Sequence, residues 1–430
     1  MSRSTATFSR SLSLPALLSL NSYHYRRGGS DAVYFDHAEL FAENGWETRF
    51  LSMHHPRNLP CDDDAFFARM VDHEFAEGLA DKLRIAQASV YNTEAKRKAA
   101  DMIRQTPIDV AHVHCIYHHL TPSVLEPLAE AGIPIFLTAH DLKIACPAYT
   151  MRNGQGEICE QCKGGRYYNA LKNRCTKGSR MASGVVALEA YVHDRRKSYA
   201  KHLAGVIAPS RFHAAKLAEW GFPAERIHYI PNFTRKIDPV FAKGYQAPIL
   251  FFGRLSVEKG IDTLIEAAKL ANVPVDIVGS GPHEQELRAR ALRIGAPVAF
   301  HGRQDGDKLW QFVGRARAVV LPSECYENAP LALLEAFQLE KPAIGARIGG
   351  IPELIEPPEH DACGWLFRSG DAGDLAKTLA MVADADDSEL RVRGQAGRAL
   401  ALDRFDKESY YRAVSDLYET SGVLLPATGG

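Results

Sequence analysis

The feature that most constrains this chain is a rhythm that runs through it twice. Short apolar runs of strand length alternate with amphipathic helical patterns, and each series is long enough to build a sheet of its own. In the first series PALLSLNS, a helical pattern from about Asp31 to Asn44 and WETRFLSM make a β-α-β unit. DVAHVHC, PIFLTAHD, AGVIAPS and RIHYIPNF read as later strands of the same sheet. Apolar runs joined by helices favour parallel strands with crossover connections. The pattern weakens over TRKIDPVFAKGYQ, a linker, and then begins again. APILFFG, PVDIVGS, VAFHG, AVVLPS and PAIGA are the strands of the second series, with helices at IDTLIEAAKLA, HEQELRARALR, DKLWQFVGRA and LALLEAFQL.

The expected fold is therefore α/β, with two Rossmann-like doubly wound domains. Residues 1–235 form the first, carrying a cysteine-rich insertion over 146–175, and residues 236–405 form the second. Residues 406–430 supply a C-terminal helix, FDKESYYRAVSDLYETS, that packs back on the first domain, and a frayed tail, GVLLPATGG. In such sheets ligands bind beyond the strand C-termini, so the cleft between two such domains is the default site. A length of 430 residues agrees with two cores rather than one. A net charge of −1 argues against a general nucleic-acid binder. No apolar run approaches the ~20 residues of a membrane span. The N-terminal MSRSTATFSRSL reads as a short disordered leader before a buried strand, not as a signal peptide, which points to the cytoplasm.

The motifs fall at strand ends. In FFGRLSVEKG the strand stops at Gly253, and Arg254 and Lys259 precede a helix, two cations suited to a pyrophosphate; two solvated surface cations are the bland alternative. IVGSGP places Gly279 and Gly281 in a tight turn, and RIGGIPE places Gly349 and Gly350 where backbone amides approach a ligand. YRRGGSD puts Gly28 and Gly29 after the first strand. In PSECYENAPLALLEAFQLEKP, Glu327 lies in a loop after AVVLP, Pro330 fits a first helical turn, and Glu335 falls about two turns into a buried helix. Burying an unpaired carboxylate costs several kcal/mol, roughly. One such acid is commonly a cap or an ion-pair partner; a pair fits the vicinal hydroxyls of a nucleotide sugar. DDD at Asp62–Asp64 contains a DxD pattern but reads as a solvated loop.

Glu327 and Glu335, with seven residues between them, resemble the E-x₇-E signature of family 4 glycosyltransferases. GRLSVEKG, GSGP and GGIPE follow in that family's order and spacing, and GGSD, LTAHD, APSRF and IPN match on the N-terminal side. The resemblance covers nearly the whole chain. It implies a GT-B fold, two Rossmann-like domains facing across a cleft, and a retaining transfer of a hexose-type sugar from a nucleotide-diphosphate donor. It also implies roles for individual residues. Glu335 would bind the ribose, and Glu327 would hold the sugar beside its anomeric carbon. Arg254 and Lys259 would neutralise the diphosphate, with Gly253, Gly279, Gly281 and the Asn328, Ala329, Pro330, Leu331 backbone around the donor. The Gly28–Gly29 loop would close on the diphosphate, and His140 of LTAHD would reach the sugar. Asp31 stands where the family often has a glutamate. No metal is needed for catalysis, because cations and helix N-termini stabilise the leaving group. The implied acceptor is a saccharide or lipid-linked saccharide of cell-surface polysaccharide synthesis. A GT-B sugar-nucleotide epimerase, or a non-catalytic zinc-clipped binding subunit, are the alternative readings.

Two features lie outside that resemblance. Cys146, Cys159, Cys162 and Cys175 are spaced C-x₁₂-C-x₂-C-x₁₂-C, a structural zinc pattern; four unliganded cysteines or two disulfides are the other readings. Between Lys163 and Lys201 ten cations face only Glu189 and Asp194, with Tyr167, Tyr168 and Tyr191 interleaved. Such a stretch suits an anionic membrane surface, at the inner face of the cell membrane, or is an ordinary solvated face. No nucleic-acid recognition motif accompanies it.

Overall fold

The computed structural model describes residues 14–71, 78–242 and 244–426. Both series of strands form. The first sheet holds β1 (Ala16–Leu20), β2 (Glu47–Leu51), β3 (Val110–Val113), β4 (Ile135–Thr138), β5 (Gly205–Ala208) and β6 (Ile227–Tyr229), in the order β2-β1-β3-β4-β5-β6. The second holds β7 (Ile249–Phe252), β8 (Val275–Val278), β9 (Val298–Phe300), β10 (Val319–Leu321), β11 (Ala343–Ala346) and β12 (Gly364–Phe367), in the order β12-β11-β10-β7-β8-β9. Every register resolved between neighbours is parallel, as in Leu17 opposite Val110 and Phe251 opposite Ile277. Central strands such as β1, β7 and β11 are buried along their whole length, because helices cover both faces of a parallel sheet. The edge strand β9 is partly exposed.

The chain divides into two compact units. One is Met1–Leu137 with Lys201–Ala204 and Val414–Gly430; the other is Thr138–Ala200 with Gly205–Ala413. In the first, the C-terminal half of helix Lys407–Glu419 is fixed by fully buried Tyr418, whose hydroxyl bonds His112 Nδ1 and His37 Nε2. The expected leader falls on residues 1–13, outside the described residues. The expected frayed tail is packed as far as it is described, with Val423 buried and Pro426 against Gly45; residues 427–430 lie outside the described residues. The middle residue of the DDD run is not solvated either. Asp63 is buried and accepts from Phe50 N at 2.9 Å and Arg49 Nη1 at 3.3 Å, fastening its loop to β2. In the second unit β12 and the helices Ala372–Asp384 and Asp387–Arg404 extend the fold beyond the strands read from the sequence.

Candidate active site

In a doubly wound sheet ligands settle where the strand order reverses. In the second sheet that point lies between β7 and β10, which are neighbours but far apart in sequence. The loops leaving them are in direct contact: Gly260 has φ +66° and a Cβ there would overlap the Pro322 carbonyl. Lys259 ends the short 3₁₀ turn Val257–Lys259 on one loop, and its Nζ donates to Glu327 Oε1 on the other at 2.6 Å. Ser323 Oγ donates to the same oxygen at 2.6 Å. Burial alone would raise the Glu327 carboxyl. The Lys259 charge, the bonds from Lys259 and Ser323, and nearby His213 outweigh it and hold the group below the usual carboxylate range. Burial likewise works against the charged form of Lys259, and the charge of Glu327, its bond to Lys259, and nearby Cys325 and Glu258 together outweigh it and raise the group. The pair is a mutually stabilised charge at the expected ligand position.

The next residue fixes that loop. Asn328 Nδ2 donates to the Ala139 carbonyl at 2.8 Å, and its Oδ1 accepts from Ser210 Oγ at 2.8 Å. Ser210 caps helix Arg211–Glu219 through His213 N. His213, buried in that helix, feels the charges of both Glu327 and His140, and burial pulls its imidazole down to about 3. His140 follows β4, and burial lowers it to about 4. Two neutral imidazoles therefore neighbour one another, and His213 stands near the anionic Glu327.

Gly253 and Gly279 have φ +147° and +152°, and a Cβ on Gly279 or Gly281 would strike the backbone of Gly253 or Leu255. The turns after β7 and β8 thus lie backbone to backbone. Arg254 is exposed beside them. Ala329 is buried, Pro330 caps helix Leu331–Gln338, and Leu331 begins it. Glu335 is half-buried at the fifth residue of that helix, one turn in rather than two, because Pro330 precedes the helix instead of opening it. Gly349 and Gly350 differ from expectation more sharply: a Cβ on either would overlap the Glu327 or Asn328 carbonyl, and Gly350 N donates to Glu327 O at 2.8 Å. Their small size serves the glutamate loop itself. In the first unit Gly28 is exposed and caps helix Gly29–Glu43 with free space around it. Asp31 turns inward, accepting from Asn21 Nδ2 at 3.0 Å with Arg27 3.5 Å away, so it anchors the helix start to the end of β1. Burial raises its carboxyl against the opposing effects of Asn21 and Arg27.

Several residues of the site escaped the sequence reading. Ser210 and His213 lie in the quoted APSRF stretch and just past it, but nothing in a lone serine or histidine marks its long-range partner. Glu353 of GGIPE accepts from Arg211 N at 2.9 Å and Phe212 N at 2.6 Å, capping the helix that carries His213. The cysteine-rich insertion touches the glutamate loop: Tyr326 Oη donates to Glu160 Oε1 at 3.0 Å, Lys216 Nζ joins the same oxygen at 2.7 Å, and Arg152 lies 3.8 Å from Glu324. Cys146 and Cys162 are buried, Cys159 and Cys175 half-buried, and all four are free thiols. Burial raises Cys162 to about 12 and Cys175 to about 11, with neighbouring cysteines adding to both. The thiols are neighbours, yet among the described residues no group of three or more His, Cys, Asp or Glu is set to hold a metal ion.

Comparison with known proteins agrees with this geometry. The family model for glycosyl transferases group 1 matches residues 234–398, and that for Glycosyltransferase Family 4 matches residues 27–235. The amylovoran biosynthesis glycosyltransferase AmsK of Erwinia amylovora is 29% identical over 49% of this chain and 54% of its own. The N-acetyl-alpha-D-glucosaminyl L-malate synthase of Bacillus anthracis is 22% identical over 91% of this chain and 93% of its own. The chain spans about half or less of the first curated relatives it matches, 29% and 54% of their lengths. Anabaena Alr3699/HepE, solved with UDP and glucose, superposes with a TM-score of 0.63 at 17% identity, covering 94% of this chain and 100% of that one. The two parallel six-stranded sheets are those of the GT-B fold. With both family models and the paired loops of the second sheet in agreement, this chain belongs to the family 4 glycosyltransferases.

Proposed function

We propose that this glycosyltransferase moves a hexose-type sugar from a nucleotide-diphosphate donor to a saccharide or lipid-linked acceptor, with retention at the anomeric carbon, in cell-surface polysaccharide synthesis. The observation that carries the reading is Glu327, kept anionic by Lys259 and Ser323 at the strand-order reversal of the second sheet. Relatives named for amylovoran and colanic acid biosynthesis support the pathway class. The UDP-bound neighbour supports a nucleotide donor.

In this reading the bond from anomeric carbon to phosphate oxygen breaks, and its electron pair leaves on the diphosphate. Lys259 and Arg254 lower the energy of that charge, and Glu327 holds the sugar hydroxyls beside the reacting carbon. Glu335 takes the ribose hydroxyls. The acceptor hydroxyl attacks from the leaving-group face, and its proton passes to the departing phosphate oxygen. His140 and His213, both neutral, orient the sugar and Glu327 without adding a competing cation. The enzyme works at the inner face of the cell membrane, where a lipid-linked acceptor is presented.

The test is direct. A nucleotide-sugar panel is screened by thermal shift, since a ligand bound only to the folded state raises Tm; product stereochemistry is then read by NMR. Glu327→Ala is expected to lower turnover on the order of 10²–10³-fold. Turnover unchanged in that variant overturns the site assignment, and an inverted product overturns retention. For the four cysteines we propose a structural zinc clip, supported by their spacing in the sequence. No catalytic step passes through it. Elemental analysis after reducing, chelator-free purification is expected to find zinc; its absence there rejects the clip.

A further inference from the structure

A surface helix normally turns one apolar face inward and a polar face to water. Helix Arg180–Arg195 does not follow that rule. Its inward face is formed by Ser183, Val186, Ala187, Glu189 and His193, all buried. Glu189 on that face is spent on a buried pair with Lys143 at 2.8 Å. The opposite face repeats at Met181, Gly184, Leu188, Tyr191 and Arg195, the three-and-four spacing of a single helical stripe. Met181 is 78% exposed, Leu188 56% and Tyr191 39%. Between Arg180 and Arg195 the outward stripe carries no charge at all.

The neighbouring helix Tyr168–Lys172 widens this stripe. Tyr168 and Leu171, 56% and 43% exposed, stand one turn apart on it. Tyr168 N donates to Tyr191 Oη at 3.2 Å, and the Leu171 side chain lies 3.7 Å from where a Cβ on Gly184 would stand. Two helices thus present one continuous apolar seam to solvent. Exposed cations bracket it, with Lys172, Arg174 and Arg180 at one end and Arg195, Arg196 and Lys197 at the other. Asp194 is the one exposed acid between Lys163 and Ala200.

We infer that the seam formed by helices Tyr168–Lys172 and Arg180–Arg195 is a docking surface for an anionic lipid bilayer. Leucine, methionine and tyrosine side chains enter the headgroup boundary while the flanking lysine and arginine stems lie along it with their charges on lipid phosphates. An acidic protein would satisfy the cations without requiring the apolar stripe between them; a second copy would satisfy the stripe but bring the cations against themselves. No described helix is long and apolar enough to cross a membrane, so the contact is interfacial. The inference rests on the membrane-face reading above and narrows it to one surface.

The test is co-sedimentation of the full chain with vesicles of phosphatidylglycerol and phosphatidylcholine, beside pure phosphatidylcholine vesicles, at low and high salt. Binding is expected to the anionic vesicles only and to weaken with salt. Leu188→Glu, and separately the pair Arg180→Glu with Arg195→Glu, should each reduce it by about tenfold or more. These side chains are exposed, so hydrolysis of the donor in solution should be unchanged, showing a folded enzyme. Equal binding to both vesicle types, or binding to neither, overturns the inference. So does a dimer in sedimentation analysis that Leu188→Glu dissolves, which assigns the seam to self-association. Loss of donor hydrolysis in Glu327→Ala is read without vesicles, so the enzyme reading and the surface stand or fall separately.

Discussion

Two glycine pairs look alike in the sequence and do opposite things in the structure. Gly28–Gly29 opens a helix at the end of the loop after β1, exposed, with nothing within 4 Å of where a Cβ on Gly28 would stand. Gly349–Gly350 follows β11, and its missing side chains are filled by the backbone of Glu327 and Asn328. The first pair leaves room; the second has used its room to bring one loop onto another. A glycine pair beyond a strand is therefore not by itself a ligand cradle. What distinguishes the two is the neighbour, which no local pattern reports.

The largest effect expected from this contrast is at the crowded pair. Gly350→Ala places a methyl group on the Asn328 carbonyl, and the Gly350 N to Glu327 O bond leaves little freedom to retreat. Overpacking against backbone costs on the order of 3 kcal/mol, and a Tm loss of several degrees should accompany it. Turnover should fall with it, because the displaced carbonyls belong to Glu327 and Asn328. A Gly350→Ala protein with wild-type Tm and turnover would erase the contrast between the pairs.

A smaller effect comes from acid. His213 lies beside Glu327, buried, with its folded pKa near 3 against an ordinary value near 6.5. The unfolded chain therefore takes up a proton first as the pH falls, so stability drops across that window and is fully present above it. One such histidine adds a slope of about 1.4 kcal/mol per pH unit. Glu327 acts in a lower window: its contribution is present above the usual carboxylate range and is lost as the pH falls through its depressed folded pKa. His24, in the first unit, is lowered by burial to about 4 and works in the same direction as His213. Chemical denaturation between pH 7 and pH 5 should show Gln at position 213 (His213→Gln) flattening the slope without abolishing it. An identical slope in that variant would mean that His213 is not held neutral by the crowded site.

The sequence made the strands and their parallel pairing legible, because runs such as ALLSL and ILFF are buried on both faces and leave little choice. It was less informative where burial is mixed: GWLF of β12 is half-buried at its two middle residues and carries no alternation. The Lys259–Glu327 pair could be suspected from its two motifs, since each ends a strand that the doubly wound order brings together. The insertion's contacts could not. Glu160 meets Tyr326 across a separation of 166 residues, and neither residue differs locally from a solvated one. Likewise Asp31, which stands where the family often has a glutamate, proved to be an anchor, because its orientation depends on Asn21 at the end of β1. Side-chain chemistry is written locally, but whether it faces a ligand or a neighbour is decided by packing.

The smallest stability effect belongs to the open pair, and it sharpens the contrast most. Gly28 has φ −163°, extended backbone that any residue adopts, and it occupies the cap position of helix Gly29–Glu43 without a side-chain cap. Serine is among the preferred residues there, so Gly28→Ser should leave stability unchanged or raise it by a few tenths of a kcal/mol, roughly. If the loop closes on the donor diphosphate, the added hydroxymethyl group enters space the ligand needs, and KM for the donor should rise while Tm does not fall. That separation of KM from Tm is the signature of an empty space kept for a ligand rather than for a neighbour. A variant with wild-type KM would show that the Gly28 loop has no contact with the donor, and a fall of several degrees in Tm would show that the space was never free.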